Sequence, residues 1–481
     1  MIHRQGNRIT QYRLKIFTRS RIMRSPWIHR IVRIPGSRVD RYHYRREDVQ
    51  VLVGRVARIG LIGSVICIYS GVAQFIFIAS TLLLYGFYLL MVGLILLCLV
   101  TDRRSFWGIR SVWAYLYWVS LYAIWSLLVS TMAAVTLPEA FRLIFRNYLV
   151  IIAVVIALNN FRNFIVFNYL VQVAILANTI ICLWQLGDPQ LIWTLAKARD
   201  PLANAFNILR PAGLWVNPDE AAFACLFAFL ISFKSRGLFF VLARIGAIGG
   251  IYLSASRTGV YILLLYALIT LIFAIKYGYI NLIRIVSVVC GGSILLTMLF
   301  FSLFGGVLPS VDLSDNLTLA RILDFREDQY ASSHTRTEVT SMAFDAVMQS
   351  PIQGHGFLAF QRPDSFLPTH LFNTDFRRLN NGAHNIYLVV WGEAGISIFL
   401  AYLFVLGAGV ISVFRAKITP SDRLIAGLLW LTYLIIGLVW HVQLTYMLGI
   451  VFIALICHFP WIMEQHYTSN KPSLATMPRY I

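Results

Sequence analysis

The segment 252-YLSASRTGVYILL-264 joins two strongly apolar stretches and carries one arginine, Arg257. The flanking stretches, 238–254 and 257–275, are each close to the length needed to cross a bilayer. We therefore expect two membrane helices joined by a tight turn. An ionisable residue at the end of a membrane-embedded helix is costly, so Arg257 is by default a functional residue.

The composition extends this reading to the whole chain, which is 58% hydrophobic and 13% charged. Soluble domains are about 45–50% apolar and about 25% charged. The predicted fold is all-α, a polytopic membrane bundle of about twelve transmembrane helices. The predicted spans lie near 59–79, 81–100, 112–131, 140–158, 163–186, 215–233, 238–254, 257–275, 283–304, 385–414, 424–440 and 443–463.

Charge fixes the expected orientation. Residues 1–58 hold fifteen Lys and Arg against three acidic residues, which is typical of a cytoplasmic tail on anionic lipid. Nothing in this tail resembles a nucleic-acid-binding fold. With it inside, the predicted cytoplasmic loops carry eleven Lys and Arg against two acids, whereas 305–383 carries six arginines against nine acids. This positive-inside pattern places both termini in the cytoplasm.

The spans and loops divide the chain into five predicted parts. The long loop between spans nine and ten is expected to contain short helices, notably at 334–350, where apolar residues recur at helical spacing. A second outward loop covers 187–214. The five parts are a basic cytoplasmic N-terminal tail (1–58), spans one to nine (59–304), a large periplasmic loop (305–383), spans ten to twelve (384–463) and a cytoplasmic C-terminal tail (464–481).

Four polar residues far apart in sequence fall on the outer side of this topology: Arg210, Arg257, Arg336 and His384. The six cysteines, in contrast, all lie inside apolar stretches, so neither a disulfide framework nor a metal cluster is indicated. The histidines of the long loop also lack zinc-like spacing. The candidate site is therefore a set of cations and one imidazole at one membrane surface.

The turn "SASRTG" predicts an anion site. Ser254 or Ser256 can cap the following helix, whose free N–H groups and positive dipole end then lie beside the guanidinium of Arg257. This combination suits a phosphate or diphosphate. The alternative is that Arg257 reaches lipid headgroups or pairs with Asp219 or Glu220.

The outward starts of two other predicted spans carry further candidates. "NPDEAA" breaks the chain at Asn217 and begins a helix with two acids, of which Glu220 is a candidate partner for an arginine. His384 is either a polar helix cap or a general base toward a hydroxyl. Glu139 is one turn from Arg142 and is expected to pair with it.

Four motifs in order resemble one family. "RPAGLWVNPDEAA", "LSASRTGV", "RTEVTSMAFDAVMQSPIQGHGF" and "AHNIYLVVWGEAGISIFLAYLF" are similar to those of the O-antigen ligase and polymerase superfamily of bacterial envelope enzymes. The resemblance covers roughly residues 60–460. The chain departs from the family at Asp219, often an asparagine, and at Thr340, often a tryptophan, which bears on the packing of the loop helix.

The resemblance implies a GT-C-like, inverting membrane glycosyltransferase that needs no metal and no cofactor. Its donor is a glycan on undecaprenyl diphosphate at the periplasmic face of the bacterial inner membrane. Arg257, Arg336 and Arg210 would bind the donor diphosphate, and His384 would take the proton of the acceptor hydroxyl. The supporting residues would be Ser256, Asn217, Glu220 and Asn385.

Three functions share these features. A polymerase adds the glycan to another lipid-linked repeat unit of an exopolysaccharide or O-antigen, and this is the reading we favour. A ligase transfers it to lipid A–core. A transporter or flippase of a lipid-linked anionic substrate is the alternative of another class, but transport sites usually lie at midplane. The expected partners are the donor, the acceptor, membrane lipids and other polysaccharide-assembly proteins, with no nucleic acid.

Overall fold

In the residues that it describes, the computed structural model consists of helices joined by turns and irregular segments, with no strand. The described ranges are 46–73, 81–101, 110–130, 133–188, 211–215, 217–254, 256–277, 332–361, 383–440, 443–444 and 446–469. They contain twelve helices: α1 (Arg46–Tyr69), α2 (Thr81–Thr101), α3 (Arg110–Val129), α4 (Ala133–Ala157), α5 (Phe161–Gly187), α6 (Pro218–Ser232), α7 (Leu238–Leu253), α8 (Arg257–Tyr277), α9 (Ser332–Gln349), α10 (Ile386–Arg415), α11 (Pro420–Val439) and α12 (Met447–Ser469). The all-α prediction is confirmed for these ranges.

Nine of the described helices, α1 to α5, α8 and α10 to α12, are long and apolar enough to cross a membrane. The protein is therefore an integral membrane protein. Predicted span nine, 283–304, lies outside the described residues. Predicted span one, 59–79, overlaps α1 only in part, because α1 starts at Arg46 and runs through Arg55 and Arg58 before it ends at Tyr69.

The predicted spans six and seven form helices of only fifteen and sixteen residues, α6 and α7. At about 1.5 Å per residue each is shorter than the roughly 30 Å of a hydrocarbon core. Every residue of α6 except Asp219 is buried, and its Phe227 stacks on Phe452 of α12 with ring centroids 3.8 Å apart. A helix that is apolar all round belongs in a protein core. We conclude that α6 is a central element surrounded by other helices.

Three helix starts meet at one end of the bundle, which we call the site end. The start of α8 approaches the start of α6 so closely that a Cβ on Gly259 would lie 2.9 Å from the Cβ of Ala222. Phe223 of α6 contacts Trp440, the residue after α11, with ring centroids 5.8 Å apart. Tyr387, in the first turn of α10, donates its hydroxyl to the Leu434 carbonyl of α11 at 2.9 Å. These contacts bring the starts of α6, α8 and α10 to the same level.

Helix α10 is broken at Gly395, whose φ of 76° lies in the left-handed region. In a continuous helix the Ile396 N–H would bond to the Gly392 carbonyl. Here the Ile396 N–H donates instead to the Pro351 carbonyl at 2.9 Å, and the Gly392 carbonyl accepts from the His355 N–H at 2.7 Å. The segment after α9 thus replaces the helix's own hydrogen bonds, which lets the break exist inside a membrane span.

We predict that Gly395→Ala destabilises the protein. The new Cβ would overlap the Ile352 carbonyl, and a non-glycine residue at this φ costs about 1–3 kcal/mol of backbone strain. Thermal unfolding in detergent should show a lower midpoint for Gly395→Ala. Gly407→Ala is the matched control, because Gly407 lies in the same helix with no neighbouring atom within 4 Å of its Cβ position. Equal midpoints for the two variants would contradict the prediction.

Candidate functional site

Two of the four predicted site residues, Arg257 and His384, lie at or beside helix starts. Arg257 is the first residue of α8, and Arg336 lies within α9; their side chains, and all of Arg210, are outside the described residues. His384 precedes Asn385, the cap of α10. Since the starts of α8 and α10 both lie at the site end, the fold brings the Arg257 and His384 positions to the same surface. Helix α9 confirms the prediction of a helix in the long loop.

Each of the three helix starts at the site end is capped by a side chain from the predicted motifs. Asn217 accepts the Asp219 N–H at 2.9 Å, and Asn385 accepts the N–H groups of Tyr387 and Leu388 at 2.9 and 3.3 Å. Ser256 accepts the Gly259 N–H at 3.3 Å. These side-chain caps satisfy N–H groups of the first turns and hold those turns in place.

The two serines of "SASRTG" have different roles. Ser256 is buried and caps α8, as described above. Ser254 is also buried, but its hydroxyl donates to the Ile251 carbonyl at 2.8 Å and so closes the preceding helix, α7. The sequence allowed either serine to cap α8, and in the structure Ser256 does so.

His384 occupies an unusual backbone position. Its φ of 48° is left-handed, which is rare for residues other than glycine. Its neighbours are both fixed: Ala383 donates its N–H to the Phe360 carbonyl at 3.0 Å, and Asn385 caps α10. Such backbone outliers cluster at functional sites because the surroundings must hold them. The His384 backbone is therefore held by the 350–361 segment on one side and by α10 on the other.

Glu220 lies in the first turn of α6 and is 1% exposed. A carboxylate there interacts favourably with the positive end of the helix dipole. Because the starts of α6 and α8 are in contact at Ala222 and Gly259, the buried Glu220 lies at the site end near the start of α8. On α4, Glu139 and Arg142 form the predicted ion pair, with Oε1 and the guanidinium nitrogen 2.5 Å apart.

The segment 211-PAGLW-215, directly after Arg210, is held by two amide side chains of α5. Gln185 Oε1 accepts the N–H groups of Ala212 and Gly213 at 3.1 and 2.9 Å, and its Nε2 donates to the Gly213 carbonyl at 3.2 Å. Asn178 Oδ1 accepts the Leu214 N–H at 2.9 Å. Non-helical backbone within a membrane protein needs such partners. Sequence reasoning missed both amides, although a polar residue in an apolar span was the available signal.

The segment 350–361 is anchored on Glu393, a fully buried acid inside α10 that sequence reasoning also missed. The Glu393 carboxylate accepts the Tyr122 hydroxyl, the Phe360 and Gln361 N–H groups at 3.1 and 3.2 Å, and the Gln361 side-chain amide at 3.2 Å. Gly354 lies so close that a Cβ there would be 2.6 Å from the Glu393 carbonyl carbon. The acid within an apolar run was a readable signal, but its partners come from α3 and the loop.

His355 of "GHGF" has a structural position. Its Nε2 lies 2.8 Å from the Ala346 carbonyl of α9, so Nε2 carries the proton and donates. Burial lowers the pKa of His355 below its ordinary value. Together with the bond from its main-chain N–H to Gly392, this contact joins the end of α9 to the break in α10. Among the described residues, no three His, Cys, Asp or Glu form a group that could hold a metal ion.

A family model described as O-antigen ligase matches residues 221–403, which is less than half of the chain. The matched range begins in α6, includes α7 to α9 and ends within α10. It therefore contains Arg257, Arg336 and His384. No curated protein matches the chain significantly.

We predict that Gln185→Ala loosens the segment that follows Arg210. The substitution leaves the N–H groups of Ala212 and Gly213 without their acceptor, at a cost of about 1–3 kcal/mol for each unsatisfied group. Hydrogen exchange measured by mass spectrometry should show faster exchange in peptides covering 211–215. Leu183→Ala, an exposed position two residues away on α5, should leave that exchange unchanged. Unchanged protection in Gln185→Ala would refute the assignment of Gln185 as the anchor.

Proposed function

We propose, from the match of residues 221–403 to the O-antigen ligase family model, that the protein is a membrane glycosyltransferase that moves an undecaprenyl-diphosphate-linked glycan onto an acceptor hydroxyl. The proposal places the site end at the periplasmic face of a bacterial inner membrane, with both termini in the cytoplasm. The observation that carries it is the convergence of three capped helix starts, with Arg257 as the first residue of one and His384 directly before another.

The start of α8 suits a diphosphate. The N–H groups of its first turn and its dipole favour an anion, and a guanidinium at the first helical position adds a charged bidentate donor. Arg336 and Arg210 would supply further positive charge. Helix α9, which carries Arg336, and the segment 211–215, which follows Arg210, are both anchored to the bundle. As the diphosphate departs it gathers negative charge, which preplaced guanidinium groups stabilise most strongly in the transition state. In this mechanism no metal ion is required.

His384 would act on the acceptor. Its imidazole takes the proton of the acceptor hydroxyl while that oxygen forms a bond to the anomeric carbon. The bond between the anomeric carbon and the diphosphate oxygen breaks in the same displacement, and its electron pair leaves with the lipid diphosphate. Attack from the opposite face inverts the anomeric configuration. The fixed backbone on both sides of His384 supports this role, because a general base must be held at the reacting hydroxyl.

We propose that the acceptor is a second lipid-linked repeat unit, so that the enzyme polymerises an exopolysaccharide or O-antigen. Transfer to lipid A–core is the alternative within the same chemistry. The two differ in product, a ladder of lengthening lipid-linked glycans against a single labelled lipid A–core species.

The test uses purified full-length protein with a radiolabelled undecaprenyl-diphosphate repeat unit, with and without lipid A–core. We expect a glycan ladder from the wild type and a loss of about 10²–10³ in rate for Arg257→Ala and for His384→Ala, because each removes an electrostatic or proton-transfer group. Arg257→Lys should keep part of the activity, since a point charge replaces a bidentate donor.

Arg236→Ala is the matched control, because Arg236 is exposed in the turn between α6 and α7 at the other end of the bundle. Its rate should equal that of the wild type. If label is found only in lipid A–core, the enzyme is a ligase and not a polymerase. Full activity in Arg257→Ala or His384→Ala would refute the proposed site.

A further inference from the structure

We propose that Glu393 is a positioning residue that sets His384 and the Arg336-bearing helix α9 relative to one another; this rests on the proposed function. The residue lies inside a membrane span, is 0% exposed and is two residues from the break at Gly395. An acid in such a place is expensive and is by default functional. Its carboxylate bonds to Tyr122, Phe360 and Gln361, so we look for its role in these partners.

The partners are four donors without charge, from two separate parts of the chain. Tyr122 comes from α3, whereas the Phe360 N–H, the Gln361 N–H and the Gln361 side-chain amide come from the segment after α9. A second bond at 3.4 Å, from the Gln361 amide to the Tyr122 hydroxyl, closes the group. Both carboxylate oxygens are thus used to tie a loop to two helices.

The same loop residues are linked to the two proposed site elements. The Phe360 carbonyl accepts the Ala383 N–H at 3.0 Å, one residue before His384. In the other direction, His355 bonds to the Ala346 carbonyl of α9 at 2.8 Å, and Gly356 donates its N–H to the Glu393 carbonyl at 3.0 Å. One carboxylate therefore stands between the backbone that presents His384 and the end of the helix that carries Arg336.

Because Glu393 holds the loop, its loss should affect the rate of the reaction more than the affinity for the substrate. Losing the carboxylate leaves two main-chain N–H groups buried without an acceptor, so the loop must shift. A shift of about 1 Å can cost about 10²-fold in rate while it leaves ligand affinity nearly intact. Glutamine keeps one carbonyl oxygen for the Phe360 and Gln361 N–H groups and offers an N–H to the Tyr122 hydroxyl. It loses the acceptor of the Gln361 side-chain amide, so it should restore the main-chain bonds of the loop but not that side-chain bond.

The experiment measures turnover and hydrogen exchange on the full-length protein in nanodiscs, with the lipid-linked repeat unit as substrate. For Glu393→Ala we expect kcat to fall about 10²-fold, with KM and donor binding changed by less than about threefold. Glu393→Gln should lose no more than about tenfold. Amides of 354–361 and 383–388 should exchange faster in Glu393→Ala and remain protected in Glu393→Gln.

Asn168→Ala is the control for the general loss of a buried hydrogen bond. Asn168 is buried on α5 and donates to the Ile231 carbonyl and the Ser235 hydroxyl, at the end of α6 opposite its cap. It should lower the thermal midpoint without lowering kcat. If Glu393→Ala loses no more kcat than Asn168→Ala, or if its loss appears in KM alone, the positioning role is wrong.

A failure of the proposed function looks different. In that case the wild type itself would transfer no glycan, whereas the exchange measurement would still decide whether Glu393 holds the loop and the backbone before His384. Unchanged protection of 354–361 and 383–388 in Glu393→Ala would overturn the inference whatever the activity.

Discussion

At the break in α10, a membrane helix gives up its own hydrogen bonds to a loop. The Ile396 N–H bonds to Pro351 instead of Gly392, while the carbonyls of Gly392 and Glu393 accept from His355 and Gly356. In an apolar environment each lost backbone bond must be replaced, so the loop and the broken span can exist only together. The end of α9 and the two halves of α10 are joined through this exchange.

The same constraint explains why amide and carboxylate side chains lie inside the spans. Gln185 and Asn178 supply partners for the 211–215 backbone, and Glu393 supplies them for Phe360 and Gln361. In each case a rigid helix provides the polar group and an irregular segment beside a proposed site residue uses it. The buried polar groups thus serve to fix loops whose geometry the proposed chemistry needs.

Much of the fold could be predicted because apolar length alone identifies membrane helices. The helix in the long loop, the cap at Ser256 and the pair of Glu139 with Arg142 follow from local spacing, and the structure has all three. The break in α10 was missed because Gly395 is one of four glycines in 385–414 and its spacing does not distinguish it from the others. The first predicted span begins at 59, whereas α1 begins at Arg46, because a helix can continue past the bilayer surface.

The helix starts of the candidate site could be predicted from the sequence, but the buried side chains that hold its loops could not. "SASRTG", "NPDEAA" and "AHN" each combine a cap with a charged or titratable residue over a few positions. The anchors join distant parts of the chain: Tyr122 meets Glu393 across 271 residues, and Gln185 meets Gly213 across 28. Such pairings depend on helix packing, which a single sequence does not encode in its local pattern.

The most direct test of the central claim is an experimental structure of the protein with an undecaprenyl-diphosphate-linked glycan bound. The account predicts the diphosphate against the first turn of α8, in contact with Arg257, and the anomeric carbon on the side that faces His384. A diphosphate bound at the other end of the bundle, or one whose sugar lies away from His384, would contradict it.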